Sequence, residues 1–249
     1  MKMQDSVMLV TGGAHRVGKA IALALAGEKA HIAFTYSASE ATAINTTAEL
    51  KALGVDALAV HCDQTVNAQI EHTIEAVLKH FGRLDGLVNS ASIMQTKKFM
   101  DTTPEDWDEA LNINTRGPFF FTQAAARVML GQNGGAIVNI LDESAFAPTR
   151  GCIQHGVSKS GLWMLTRSCA LALAPRIRVN AVMPGAVLIP QGWDEARWQN
   201  LAHQIPLQKL GTAEDVARAV VYLMKEDFIT GQMIGVDGGS SLTRNSNGN

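Results

Sequence analysis

Residues 7–26, VMLVTGGAHRVGKAIALALA, pass from a short apolar run through two adjacent glycines into a segment whose apolar residues recur at helical spacing. A strand that turns through glycine directly into a helix constrains a chain strongly, because the helix must pack back on the strand that feeds it. The same rhythm continues to the far end. HIAFTY (31–36) precedes a helical pattern at 41–53, and ALAVHC (57–62) precedes one at 68–81. LDGLVNS (84–90) leads to a long periodic stretch opened by Pro104, a residue suited to the first turn of a helix. AIVNIL (136–141), a helix near 154–174, a strand at 176–183, a helix near 213–224 and a last strand at MIGVD complete the series.

Such alternation predicts an α/β fold: a single-domain, Rossmann-type doubly wound parallel sheet of about seven strands with helices on both faces. The 249 residues suit one large domain, and 47% apolar against 18% charged residues is enough to bury a sizeable core. No break in composition separates a second domain, so residues 1–249 are expected to fold together, with only the tail RNSNGN (244–249) frayed. A formal charge of −2 calls for neither nucleic acid nor a membrane surface. The apolar run at the start is too short for a signal peptide or a membrane span. Cys62, Cys152 and Cys169 are too few and too scattered for a disulfide framework or a zinc site. A cytoplasmic protein acting on a small molecule is therefore expected. The least regular segment, 184–212, interrupts the alternation beyond a strand's carboxyl end. It reads either as a substrate lid or as a packed surface excursion.

The first strand–helix junction is where a pyrophosphate would lie against backbone N–H groups and a helix N-terminus. Its spacing is not GxGxxG: Gly12 is followed by three residues, Arg16, one residue and Gly18. Gly12 and Gly13 alone would be explained as well by a plain tight turn. Placement in an alternating chain favours a nucleotide, with Gly12, His15, Arg16, Val17 and Gly18 as candidate contacts. The Arg16 guanidinium suits an additional phosphate such as the 2′-phosphate of NADP, the other reading being a solvated surface charge. An NAD site usually places a carboxylate on the ribose about 20 residues further on. Here the second strand ends in Tyr36, Ser37, Ala38 and Ser39, neutral residues able to donate hydrogen bonds, and Glu40 starts the next helix. NADP(H) is the expected cofactor.

The chain resembles the short-chain dehydrogenase/reductase family over nearly its whole length. The residues that carry the likeness are TGGAHRVG (11–18), Asp63, NSAS (89–92), Asn114, IVNI leading to Asp142, Lys159, RVNAVMPGAV (178–187) and FITGQMIGVDGG (228–239). This resemblance implies that Asp63 and Gln64 flank the adenine and that Asn89, Ser90 and Ala91 line the ribose. It implies Lys159 on the nicotinamide ribose, Pro184 and Gly185 near the nicotinamide, and Asn114 supporting a helix and a water chain. It also implies a homotetramer paired through helices near 154–174 and 213–224. Within the family the sequence is most similar to the pteridine reductases, which carry an arginine in the turn (here Arg16) and an aspartate in place of the usual serine (here Asp142). That branch implies reduction of a C=N bond of a pterin or folate, with Arg16 touching cofactor and substrate and Ser92 beside the substrate. Met94 stands where such enzymes often have an aromatic ring.

The family's phenolic proton donor is expected 13 residues after Asp142, where this chain has His155. Its two tyrosines, Tyr36 and Tyr222, lie elsewhere. Imidazolium is a competent acid near neutrality. Asp142 and His155 are therefore expected to manage the proton, Asp142 either orienting and supporting the imidazolium or itself taking a proton when enclosed with substrate. His155 as a structural histidine on a helix that has lost its catalytic group stays open, as does Asp142 as a mere cap of loop amides. Cys152 reads as a small buried thiol, Glu143 and Ser144 as pocket lining or turn residues, and the other histidines have no metal-ligand spacing. Two further functions stand beside pterin reduction: a 3-oxoacyl-type carbonyl reductase, and a cofactor-binding protein without catalysis.

Overall fold

The computed structural model describes residues 1–190 and 192–243, so the tail expected to fray lies outside the described residues. Strand β1 (Val7–Val10) is buried along its whole length. Val7 and Leu9 enter one core layer and Met8 and Val10 the other, which is why this strand is apolar without alternation. It is followed by α1 (Arg16–Gly27), β2 (His31–Tyr36), α2 (Glu40–Ala52), β3 (Ala57–His61), α3 (Asn67–Phe81) and β4 (Gly86–Asn89). The stretch opened by Pro104 forms α4 (Pro104–Leu111) and α5 (Gly117–Leu130), joined by a π-helical turn at Asn112–Arg116. Then come β5 (Gly135–Ile140), α6 (Ile153–Leu173), β6 (Ile177–Pro184), α7 (Glu195–Leu201), α8 (Ala213–Lys225), β7 (Met233–Val236) and the short α9 (Ser240–Thr243).

The seven strands form one sheet in the order β3-β2-β1-β4-β5-β6-β7, and every neighbouring pair is parallel. Helices α1, α2 and α8 cover one face over Met8, Val10, Ile32, Phe34 and Val138. Helices α3, α5 and α6 cover the other over Val7, Leu9, Leu87, Ile137 and Val179. The doubly wound α/β sheet expected from the alternation is the fold observed. No described helix is long and apolar enough to cross a membrane.

The chain leaves β1 toward β2 on one side, and β4 returns on the other, so the crevice between the β1 and β4 ends is the switch point where such sheets bind ligands. Two caps sharpen the contrast with α1. Helices α4 and α8 begin with full capping boxes, Thr103 with Asp106 and Thr212 with Asp215. Helix α1 begins at His15 with no side-chain cap and no acidic residue in its first turn. Helices α3 and α6 also lack both, but the first residues of α1, Arg16, Val17 and Gly18, line the crevice.

Segment 184–212 is tied at its neck. Gly185 N–H donates to Val236 O at 3.0 Å, Gly211 N–H to Ala186 O at 2.9 Å and Leu207 N–H to Gly238 O at 3.1 Å. It carries α7 and a buried Trp198, so its base is packed, while Val187 and Leu188 face the crevice.

Candidate active site

A cavity of about 390 Å³ opens along the carboxyl ends of the strands. Every strand from β1 to β6 sends its following loop to the wall, which is what a parallel sheet does with its loops. From β1 come Gly12, His15, Arg16, Val17 and Gly18; from β2, Tyr36 and Ser37; from β3, Asp63 and Gln64. Ser90, Ala91, Ser92 and Met94 follow β4, Asp142 follows β5 with His155 and Lys159 behind it, and Pro184 with Gly185 ends the series.

The glycine turn is tight for stated reasons. A Cβ on Gly12, which sits at φ +65°, would lie 2.9 Å from the Ala91 Cα, and one on Gly18 would lie 2.2 Å from the Gly12 oxygen. Thr35 Oγ1 accepts from Gly12 N–H at 3.0 Å, and Thr11 Oγ1 accepts from the Ser90 and Ala91 amides at 3.0 and 3.1 Å. These two threonines brace the turn against the β4 loop. Arg16 stands at φ +54°, a left-handed conformation an L residue rarely takes.

At the other end of the cavity three titratable groups meet. Lys159 is buried and donates from Nζ to Ile140 O at 2.9 Å; burial pushes its pKa down to about 8, against the opposing pull of Asp142. Asp142 accepts from Ser144 N–H at 2.8 Å. Burial works against its charge, but the His155 ring and the Ser144 groups outweigh that and hold the carboxyl well below its ordinary range. In the open cavity this balance favours the ionised carboxylate. His155 is 4% exposed. Its Nε2 lies 3.8 Å from Asp142 Oδ1 and makes no hydrogen bond among the described residues, while its Nδ1 is 2.9 Å from Ile93 O. Imidazole, carboxylate and lysine amine thus share one corner of the cavity.

Several anticipated residues stand elsewhere. Ser39 does not line the cavity; its hydroxyl caps α2 by accepting from Thr42 N–H at 3.3 Å. Asn89 is buried behind the wall, bonded to Thr122 and Asn139. Asn114 is also fully buried, in the π-turn, reaching Ser92, Ile93 and Ser158 rather than the cavity. Met94 is 57% exposed at the rim. Tyr36 lies on the β2 side and Tyr222 is outside the cavity lining, so no phenol stands near His155. Thr35 and Ile93 were not foreseen. A threonine at a strand end next to the glycine turn would have been a fair signal, but Ile93 acts through a backbone carbonyl that no side-chain reading finds.

A family model described as enoyl-(acyl carrier protein) reductase matches residues 12–241. A 3-oxoacyl-[acyl-carrier-protein] reductase FabG of Staphylococcus aureus is 37% identical over 245 residues, covering 96% of this chain and 99% of its own length. The chain belongs to the short-chain dehydrogenase/reductase family. Among its relatives, a FabG of Thermotoga maritima is 34% identical, covering 96% of this chain and 99% of that protein. A blue fluorescent protein from a metagenomic library, solved with NADPH, superposes with a TM-score of 0.89 at 34% identity, covering 96% and 99% of the two chains. A short-chain dehydrogenase of Burkholderia cenocepacia, solved with NADP, gives the same TM-score, identity and coverages.

Proposed function

We propose that this protein is an NADP(H)-dependent reductase of small carbonyl compounds of the 3-oxoacyl type, with His155 supplying the proton. The 3-oxoacyl reductase name borne by relatives of matching length supports that substrate class and puts it ahead of pterin reduction. The NADPH and NADP held by two structural neighbours support the cofactor. The residues of this chain fit that group. The uncapped N-terminus of α1 takes a pyrophosphate, and β2 ends in Tyr36 and Ser37 instead of a carboxylate that would repel a 2′-phosphate. Arg16 adds a cation on the same wall. Asp63, Gln64, Ser90 and Ala91 would hold the adenosine half; Lys159, Pro184 and Gly185 would hold the nicotinamide half. Bound NADPH supplies a hydride.

One observation carries the reading: His155 Nε2 is buried, unbonded among the described residues and 3.8 Å from an ionised Asp142. The imidazolium form of His155 gives its Nε2 proton to the oxygen that becomes negative as the carbonyl carbon is reduced. Asp142 remains as counter-ion and orients the ring, and Lys159 adds positive potential beside the same oxygen.

A second reading, reduction of a pterin C=N bond, is favoured by Arg16. A guanidinium kept in a strained left-handed backbone at the cavity wall suits a flat polar ring as well as a phosphate. Ser92 and Met94 would then flank the substrate. Steady-state NADPH oxidation with a β-ketoester, and in parallel with dihydrobiopterin, separates the two. Turnover of the ketoester alone supports the first; turnover of the pterin alone replaces it with the second. NADPH binding with neither substrate consumed leaves a cofactor-binding protein without this catalysis.

A further inference from the structure

We infer that Asn114 and the Ile93 peptide fix His155 as the Nδ1–H form of its ring, so that Nε2 alone exchanges the proton and Asn114 is a positioning residue for His155. The catalytic meaning of this rests on the reductase reading above, but the state of the ring does not.

The hydrogen bonds leave little choice. Nδ1 lies 2.9 Å from Ile93 O, and a carbonyl oxygen only accepts, so Nδ1 must carry the hydrogen. The Asn114 amide nitrogen is 3.4 Å from the same ring atom, but its two hydrogens go to Ile93 O at 2.9 Å and Ser158 Oγ at 3.0 Å. Ser158 Oγ spends its own hydrogen on His155 O at 2.7 Å, which makes it an acceptor toward Asn114 and settles which end of the amide is nitrogen. The amide oxygen in turn accepts from Ile93 N–H at 2.9 Å and Ser92 Oγ at 3.0 Å. Asn114 therefore uses both donors and both lone pairs, and grips the N–H of Ile93 and its carbonyl with one side chain. With every donor and acceptor of its amide engaged, Asn114 holds the Ile93 peptide stiffly against the ring. The π-turn is what brings Asn114 between the β4 loop and α6, as such insertions in helices often do at functional sites.

The consequence is a ring that need not turn during catalysis. Charged, it presents Nε2–H on the Asp142 side; neutral, it presents the Nε2 lone pair in the same direction. In reduction the Nε2–H bond breaks and an O–H bond forms on the substrate, and the imidazolium charge and the alkoxide charge cancel. Nδ1–H stays on Ile93 O throughout. A histidine free in water favours the opposite tautomer, with the hydrogen on Nε2, so the claim is visible by spectroscopy.

The test is a two-bond ¹H–¹⁵N correlation spectrum of the full-length protein labelled with ¹⁵N-histidine, at a pH where the ring is neutral, with His155→Gln identifying the signal. A protonated-type Nδ1 shift and a bare-type Nε2 shift are expected; the reverse assignment overturns the inference without any Asn114 variant having to fold. Asn114→Ser is expected to admit the Nε2–H form and to lower kcat about tenfold to a hundredfold through misplacement of the ring, with the Kd for NADPH within twofold. An Asn114→Ser protein whose ring remains wholly Nδ1–H overturns the positioning role. A wild-type Nδ1–H ring in a protein that oxidises no NADPH keeps this inference and removes the reductase reading.

Discussion

Arg16 shows how much function can cost a single residue. Its φ of +54° is free to glycine and costs an L residue roughly 1 kcal/mol or more. Arg16→Gly removes that strain but loosens the unfolded chain, so stability is expected to stay within about 1 kcal/mol of wild type. NADPH affinity is expected to fall at least about tenfold with NADH affinity little changed, as titrations by fluorescence would read. Lys159 tells the same story electrostatically. Its pKa is about 8 in the folded protein against 10.5 ordinarily, so below pH 8 the fold carries the full cost of a buried ammonium. As pH rises from about 8 to 10.5 the folded state has released the proton and the unfolded state has not, and the penalty is relieved. Lys159→Met is therefore expected to melt above wild type at pH 7, by up to about 3 kcal/mol, with the gap closing over that window. A gap independent of pH would show that the buried charge is not its cause. Of these groups the sequence made His155, Lys159 and Arg16 legible, through their spacing from Asp142 and the glycine turn. It did not make the ionisation of Asp142 legible, because that depends on how burial balances against Ser144 in the same turn and His155 brought from α6.

Among the elements, α1, like α3 and α6, starts without a side-chain cap or a first-turn acid, but its first residues line the cavity. His15 is extended, at φ −154° and ψ 171°, the geometry of a capping residue, but contributes no cap. His15→Asp supplies one and a favourable charge at the dipole's positive end, worth about 1 kcal/mol. The protein without cofactor is expected to melt about 2–4 °C higher, and NADPH to bind at least about tenfold more weakly, since the carboxylate competes with phosphate. Calorimetry and a binding titration check the two halves; a stabilised variant that binds NADPH as tightly as wild type would show that the helix terminus is not the phosphate site. The strands and long helices were legible because apolar periodicity follows burial on two faces of a sheet. The π-turn was not, since NINTR has no periodic signature of its own. Ser39 was misread because capping and ligand binding ask for the same hydroxyl at the same place, and only the position of Thr42 N–H decides between them.

At the scale of the whole molecule, one parallel sheet brings loops from six strands to a single edge, and the site is built from those loops, the starts of α1 and α6 and Ile113 of the π-turn. That gathering follows from the alternation of strands and helices, so the cavity's location was legible from the first residues of the chain. Substrate class was less so. The turn and the aspartate pointed toward pterins, whereas the relatives of matching length carry a 3-oxoacyl-[acyl-carrier-protein] reductase name. The difference lies in a few wall residues such as Arg16 and Met94, whose chemistry fits more than one ring or chain. The central claim is that His155 takes the proton-donating role otherwise filled by a phenol. Its most direct test is the rate of NADPH-dependent β-ketoester reduction by His155→Phe, with NADPH binding followed in the same preparation. The account predicts a loss of about a hundredfold or more in kcat with NADPH still bound at near wild-type affinity; an unchanged rate would contradict it.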